Sequence, residues 1–129
     1  MNKTRGRSSR GGARRHPDGL RQIVATLADR KAVDPIVLDL RGLSGATDYF
    51  AIASGTSDAH VRGMAEHLMA RLPPHHVEGL AQGRWVLLDY VDVVVHLFHP
   101  ELRAFYQLER LWADAPPVTL GEVGIAGSG

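Results

Sequence analysis

The chain has 129 residues and a mass of 14.1 kDa, enough for one domain of about 100 residues with short extensions and too little for a second catalytic domain. Apolar residues make up 44% and charged residues 22%, which excludes wholesale disorder, and the absence of cysteine excludes disulfide frameworks, thiolate zinc sites and cysteine nucleophiles. The net charge of +1 joins two unlike parts: Lys3, Arg5, Arg7, Arg10, Arg14 and Arg15 lie in residues 1–16, which hold no acid, and the nine remaining bases face all 14 acids, leaving −5 from Pro17 onward.

In chain order, residues 1–16 are Gly, Ser and Arg with almost nothing apolar, so burial cannot offset their ordering entropy and a disordered basic arm is expected. They lack the hydrophobic stretch of a signal peptide, and no apolar run approaches the roughly 18 residues needed to span a bilayer, so a cytoplasmic protein with no membrane partner is expected. From Asp18, Leu20, Ile23, Val24 and Leu27 recur at helical spacing and predict a first helix that stops before Pro35. Ile36 to Leu40 and Tyr49 to Ser54 are short branched or aromatic runs bounded by turn residues, which predicts two strands. After Thr56-Ser57-Asp58, a cap-like cluster, Val61, Met64, Ala65, Leu68 and Leu72 mark one face of a second helix, ended by Pro73-Pro74. His75 to Leu80 holds a short edge strand. Trp85 to Tyr90 and Val93 to Phe98 form a hairpin, and Pro100 opens a last helix with Leu102, Phe105, Leu108 and Trp112 on one face. The stretch 115–129 is Pro, Gly and Ala without periodicity and is expected to be a flexible tail. The order αββαβββα predicts an α+β single domain over residues 17–114 with a mixed sheet and helices packed on it.

Few residues are arranged for catalysis. The SGTSD turn could offer helix N-terminal N–H groups to an anion, yet neither a P-loop nor a G-x-G-x-x-G pattern is present, and Ser57 or Asp58 can satisfy those donors. His60 and His67 lie two helical turns apart, roughly 10 Å, too far to share an ion, and His75-His76 has no nearby third ligand in sequence. No Asp-x-Asp pair of the kind that holds Mg²⁺ for phosphoryl transfer occurs. No cofactor or metal is therefore expected. The acidic body disfavours nucleic acid, whose binding rests on Lys and Arg neutralising phosphates, and suits a basic protein. Within WVLLDY, Trp85, Leu87 and Asp89 alternate onto one face, and Tyr90 points to the other. An aromatic beside acids has the make-up of an interface anchor; a core tryptophan is the alternative.

The runs DYFAIASGTSDAHV (Asp48 to Val61) and WVLLDYVDVVVHLFHPELRAFYQLERLW (Trp85 to Trp112), with Glu78-Gly79 and Leu38 to Leu40, resemble the ribosomal silencing factor (RsfS), or Iojap-like, family over residues 18–114. The resemblance implies a mixed five-stranded sheet, similar to nucleotidyltransferases but without their catalytic acids. It implies a non-enzymatic translation regulator that binds large-subunit ribosomal protein fourteen and blocks joining of the small subunit in starvation or stationary phase. It directs attention to Trp85, Asp89, Tyr90, Asp92 and His96 as partner-facing positions. Two further partners stay open, rRNA for residues 1–16 and a second copy of the free chain, as do two rival readings, an active nucleotidyltransferase-like enzyme and an RNA-binding protein. Where the family usually has glycine in the hairpin turn, this chain has Val91. A β-branched residue would be strained at positive φ, so a different turn type is expected here.

Overall fold

A computed structural model describes residues 18–43, 45, 47–106 and 116–118. They form α1 (Asp18–Asp29), β1 (Val33–Asp39), β2 (Tyr49–Ser54), α2 (Asp58–Arg71), β3 (His76–Glu78), β4 (Trp85–Asp89), β5 (Val93–Phe98), α3 (Pro100–Tyr106) and β6 (Pro117–Val118). The strands make one mixed sheet in the order β3-β4-β5-β2-β1-β6, parallel only between β2 and β5. The α+β class and the mixed sheet are as the sequence predicts.

The strand count differs: six among the described residues, against five expected. Pro117 and Val118, within the stretch expected to be a loose tail, pair antiparallel with Leu38 and Val37. Val118 is buried in the main core, and the Asp39 N–H donates to the Pro116 carbonyl at 3.0 Å. Two residues are too few to show an alternation, so only the tertiary pairing reveals this strand. Residues 1–16 and the expected continuation of the last helix to Trp112 lie outside the described residues. β1 also begins earlier than expected. Its register shifts between Val33 and Ile36, where Asp34 takes φ 48, and this bulge accommodates Pro35, which has no N–H to give to a ladder.

α1 and α2 lie on one face of the sheet. Their helical-period residues, Leu20, Ile23, Val24 and Leu27 from α1 and Val61, Met64, Ala65 and Leu68 from α2, are buried in one cluster with Ala51, Val86, Leu88 and Val95 of the strands. The central strands β2 and β5 are buried along most of their length, as expected of strands covered on both sides. β4 instead alternates, with Val86 and Leu88 buried and Trp85, Leu87 and Asp89 half-buried. Its second set points away from α1 and α2. Two glycines fix the approaches to this region. Gly55 donates its N–H to the Phe98 carbonyl at 3.0 Å, and a Cβ there would stand 2.8 Å from Val61 Cγ2. Gly79 has φ +78, and a Cβ would run into the Trp85 carbonyl oxygen; only glycine permits so close a passage.

Candidate functional site

On the face opposite α1 and α2, cross-strand register assembles three rows. Leu38, Phe50, Val94, Asp89 and His76 stand side by side, next come Ile36, Ile52, His96, Leu87 and Glu78, and Ser54, Phe98 and Trp85 form the third. At the third row α3 is anchored by Arg103, whose Nη1 donates to Ser54 Oγ at 3.2 Å and to the Val33 carbonyl at 3.3 Å. Leu102 of α3 packs with Ile36, Phe50 and Trp85 over the buried Leu38, Leu40, Ile52 and Phe98. Toward the β4 side the face stays half-open at Trp85, Leu87, Asp89 and Val94.

The aromatic residues there hold one another in place. The Trp85 ring stacks on Phe98 with centroids 4.9 Å apart, and its indole N–H donates to His96 Nδ1 at 3.1 Å. The Phe50 ring meets the His96 ring edge-on at 4.7 Å. Offset and edge-to-face pairs of this kind add roughly 0.5–1.5 kcal/mol beyond area burial. His96 is only 5% exposed, and burial lowers its pKa to about 4, so it is neutral near pH 7. Because Nδ1 accepts from Trp85, the proton resides on Nε2, which is buried and has no hydrogen-bond partner among the described residues. Such a donor carries a desolvation penalty of about 1–3 kcal/mol.

The positions singled out in the sequence therefore divide. Trp85, Asp89 and His96 share this face, Trp85 and Asp89 half-open and His96 beneath them. Tyr90 packs against the helix-side core and donates its hydroxyl to the Leu72 carbonyl at 2.7 Å, where burial pushes its pKa up to about 12. Asp92 is exposed in the turn and accepts the Asp48 and Tyr49 N–H groups at its carbonyl, both at 3.0 Å. Phe50 and Val94 join the face unanticipated, because strand pairing rather than local pattern brings them beside Asp89. The other candidates take structural roles. Ser57 caps α2, accepting the His60 N–H at 3.0 Å. His60 accepts the Thr56 N–H at Nδ1 (2.8 Å) and contacts the Arg30 carbonyl through Nε2 at 2.7 Å, tying α2 to the end of α1. Among the described residues no three His, Asp or Glu side chains converge as a metal-holding group, and no helix is long and apolar enough to cross a membrane.

Residues 13–126 match the family model described as ribosomal silencing factor during starvation. The chain belongs to the ribosomal silencing factor family. It is 40% identical over 102 residues to the ribosomal silencing factor of Bacillus subtilis, covering 75% of this chain and 86% of that protein. Its identity to that of Halalkalibacterium halodurans is 41% over 106 residues, with coverage of 78% and 91%. The crystal structure of a Chromobacterium violaceum protein superposes with a TM-score of 0.72 at 32% identity, over 74% of this chain and 84% of that one. The β4–β5 turn has Val91 at φ 73, so the expectation that a β-branched residue would avoid positive φ there is not met.

Proposed function

We propose that this ribosomal silencing factor binds the large ribosomal subunit through the Trp85 face, on a basic protein equivalent to large-subunit protein fourteen, and represses translation under starvation by keeping the small subunit from joining. The observation that carries this reading is the half-open aromatic and aliphatic face of Trp85, Leu87 and Val94 with Asp89 beside them, on a chain whose net charge from Pro17 onward is −5. Stacking and the indole hydrogen bond fix the Trp85 ring before any partner arrives, so little rotamer entropy is lost on docking. A rigid, half-buried tryptophan flanked by charge has the composition of an interface hot spot, and the acids steer encounter with a basic partner.

The activity needs no chemical step. A bound domain at the subunit interface occupies volume the small subunit would fill, so joining falls by the factor 1 + [factor]/Kd, set by affinity and concentration alone. No catalytic residue is assigned, and the reading is of a binding protein working in the cytoplasm. The test is cosedimentation with separated subunits followed by a reassociation assay. Binding to large but not small subunits, with a reduced yield of joined ribosomes, is expected; unchanged joining at saturating protein would refute the proposal. Residues 1–16, with six bases and no acid, supply a second contact with rRNA, expected as a steep salt dependence of affinity that disappears when they are deleted.

A further inference from the structure

The β4–β5 turn carries a side chain that its own geometry does not require. Val91, at the tip, has φ 73, a conformation that is a genuine outlier for a β-branched residue. The turn is fastened by backbone and carboxylate groups: the Val91 N–H donates to Asp89 Oδ1 at 2.7 Å, the Tyr90 N–H to the Val93 carbonyl at 2.8 Å and the Asp92 N–H to the Tyr90 carbonyl at 2.9 Å. None of these bonds uses the valine side chain. Glycine or asparagine would adopt the same backbone with less strain. The residue is 57% exposed, so burial of its side chain in this fold does little to compensate.

The surroundings are those of a docking edge. Asp89 belongs both to the turn, through Oδ1, and to the Trp85 face, so the turn that carries Val91 is tied to the rim of that face. The Asp48 N–H donates to the Asp92 carbonyl, which sets the loop before β2, with its exposed Leu43, at the same end of the sheet. The Asp48 carboxyl is held above its ordinary range, first by burial and then by the charge of Asp92, and Arg41 at this end is engaged by Asp39 at 2.6 Å. Beside Val91 the rim presents the exposed Asp92 and the half-buried Asp89, on a chain whose net charge from Pro17 onward is −5, which suits a basic partner.

We infer that Val91 is an apolar contact of the docking surface, seated against an apolar patch bordered by basic groups on the large-subunit protein. The inference rests on the proposed large-subunit binding. It gives the strained, exposed valine a role in binding, since strain retained at an exposed turn points to work done outside the fold.

The experiment compares the full chain with Val91→Gly, Val91→Asn and Val91→Ile, measuring thermal unfolding and affinity for isolated large ribosomal subunits. Val91→Gly and Val91→Asn are expected to melt at or above the parent midpoint and to bind about tenfold more weakly, as loss of one buried valine contact would give. Val91→Ile keeps the apolar tip and is expected to bind within about threefold of the parent. Affinities of the Gly and Asn variants within about twofold of a binding parent overturn the inference alone. So does a lowered midpoint in both, which would assign the side chain to the fold. A parent chain that fails to bind large subunits refutes the proposed function itself, and this inference with it.

Discussion

His96 should make the stability of the domain depend on pH in a way that a single substitution removes. Its folded pKa, about 4, lies below the ordinary value near 6.5, so on acidification the unfolded chain takes up a proton that the folded chain refuses. The stabilisation is therefore complete above about pH 6.5 and is lost as pH falls toward 4. A difference of about 2.5 units at 1.36 kcal/mol each corresponds to about 3 kcal/mol over the whole window, and to about 2 kcal/mol between pH 7.5 and pH 5. With His96 only 5% exposed, solvent screening reduces this little. The cause is geometric. Nδ1 is occupied by the Trp85 N–H, so an incoming proton must displace that bond and place a charge among Phe50, Trp85 and Phe98. His96→Gln offers an oxygen to the indole and cannot titrate. Urea unfolding of both proteins at pH 7.5, 6.5 and 5 should show the parent losing about 2 kcal/mol more than the variant across the range. Parallel losses would mean that His96 titrates normally and that its burial does not govern its charge.

Trp85→Ala should weaken large-subunit binding by about 2 kcal/mol or more while also lowering stability, because the ring it removes stacks on Phe98; Trp85→Phe, retaining most of the stack, should recover part of the stability, and full binding by the alanine variant would exclude Trp85 from the interface. Tyr90→Phe breaks the hydroxyl bond to the Leu72 carbonyl and should cost about 1 kcal/mol in denaturant unfolding with large-subunit affinity unchanged, since the ring faces the helix side; a binding defect without a stability loss would reverse that assignment. Gly79→Ala drives a Cβ into the Trp85 carbonyl at φ +78 and should lower stability by about 2 kcal/mol or more, a measurement in which an unchanged melting midpoint would be inconsistent with the described β3–β4 passage.

What the sequence reveals of this fold follows from the range of the forces involved. α1 and α2 are legible because their apolar residues repeat at the period of their own backbone, and the β4–β5 hairpin because its two runs are separated by a short turn. Alternation within β4 places Trp85, Leu87 and Asp89 on one face without reference to any other strand. β6 is illegible for the opposite reason, since Pro117-Val118 has no internal pattern and exists as a strand only against Val37 and Leu38. The bulge at Asp34 hides the start of β1 in the same way, because a proline inside a strand reads locally as a boundary.

The candidate site divides along the same line. Its β4 residues can be read from local alternation. Phe50 and Val94 reach Asp89 only through the parallel register of β2 on β5 and the antiparallel register of β5 on β4, and a slip of one residue in either would turn them to the helix side. His96 shows the consequence most sharply. In sequence it is one polar residue in an apolar strand, equally compatible with a partner contact or a core position. Register decides, by putting it under the Trp85 indole with Phe50 at its edge. It then acts on the surface indirectly, by orienting the ring a partner would meet. The turn at Val91 is the remaining case: its left-handed backbone follows from the hydrogen bonds of Asp89, Tyr90 and Asp92, which specify a turn geometry without specifying the side chain that occupies it. For that reason the valine is open to explanation by a partner, whereas Gly79, where the Trp85 carbonyl leaves no room for a Cβ, is explained by the fold alone.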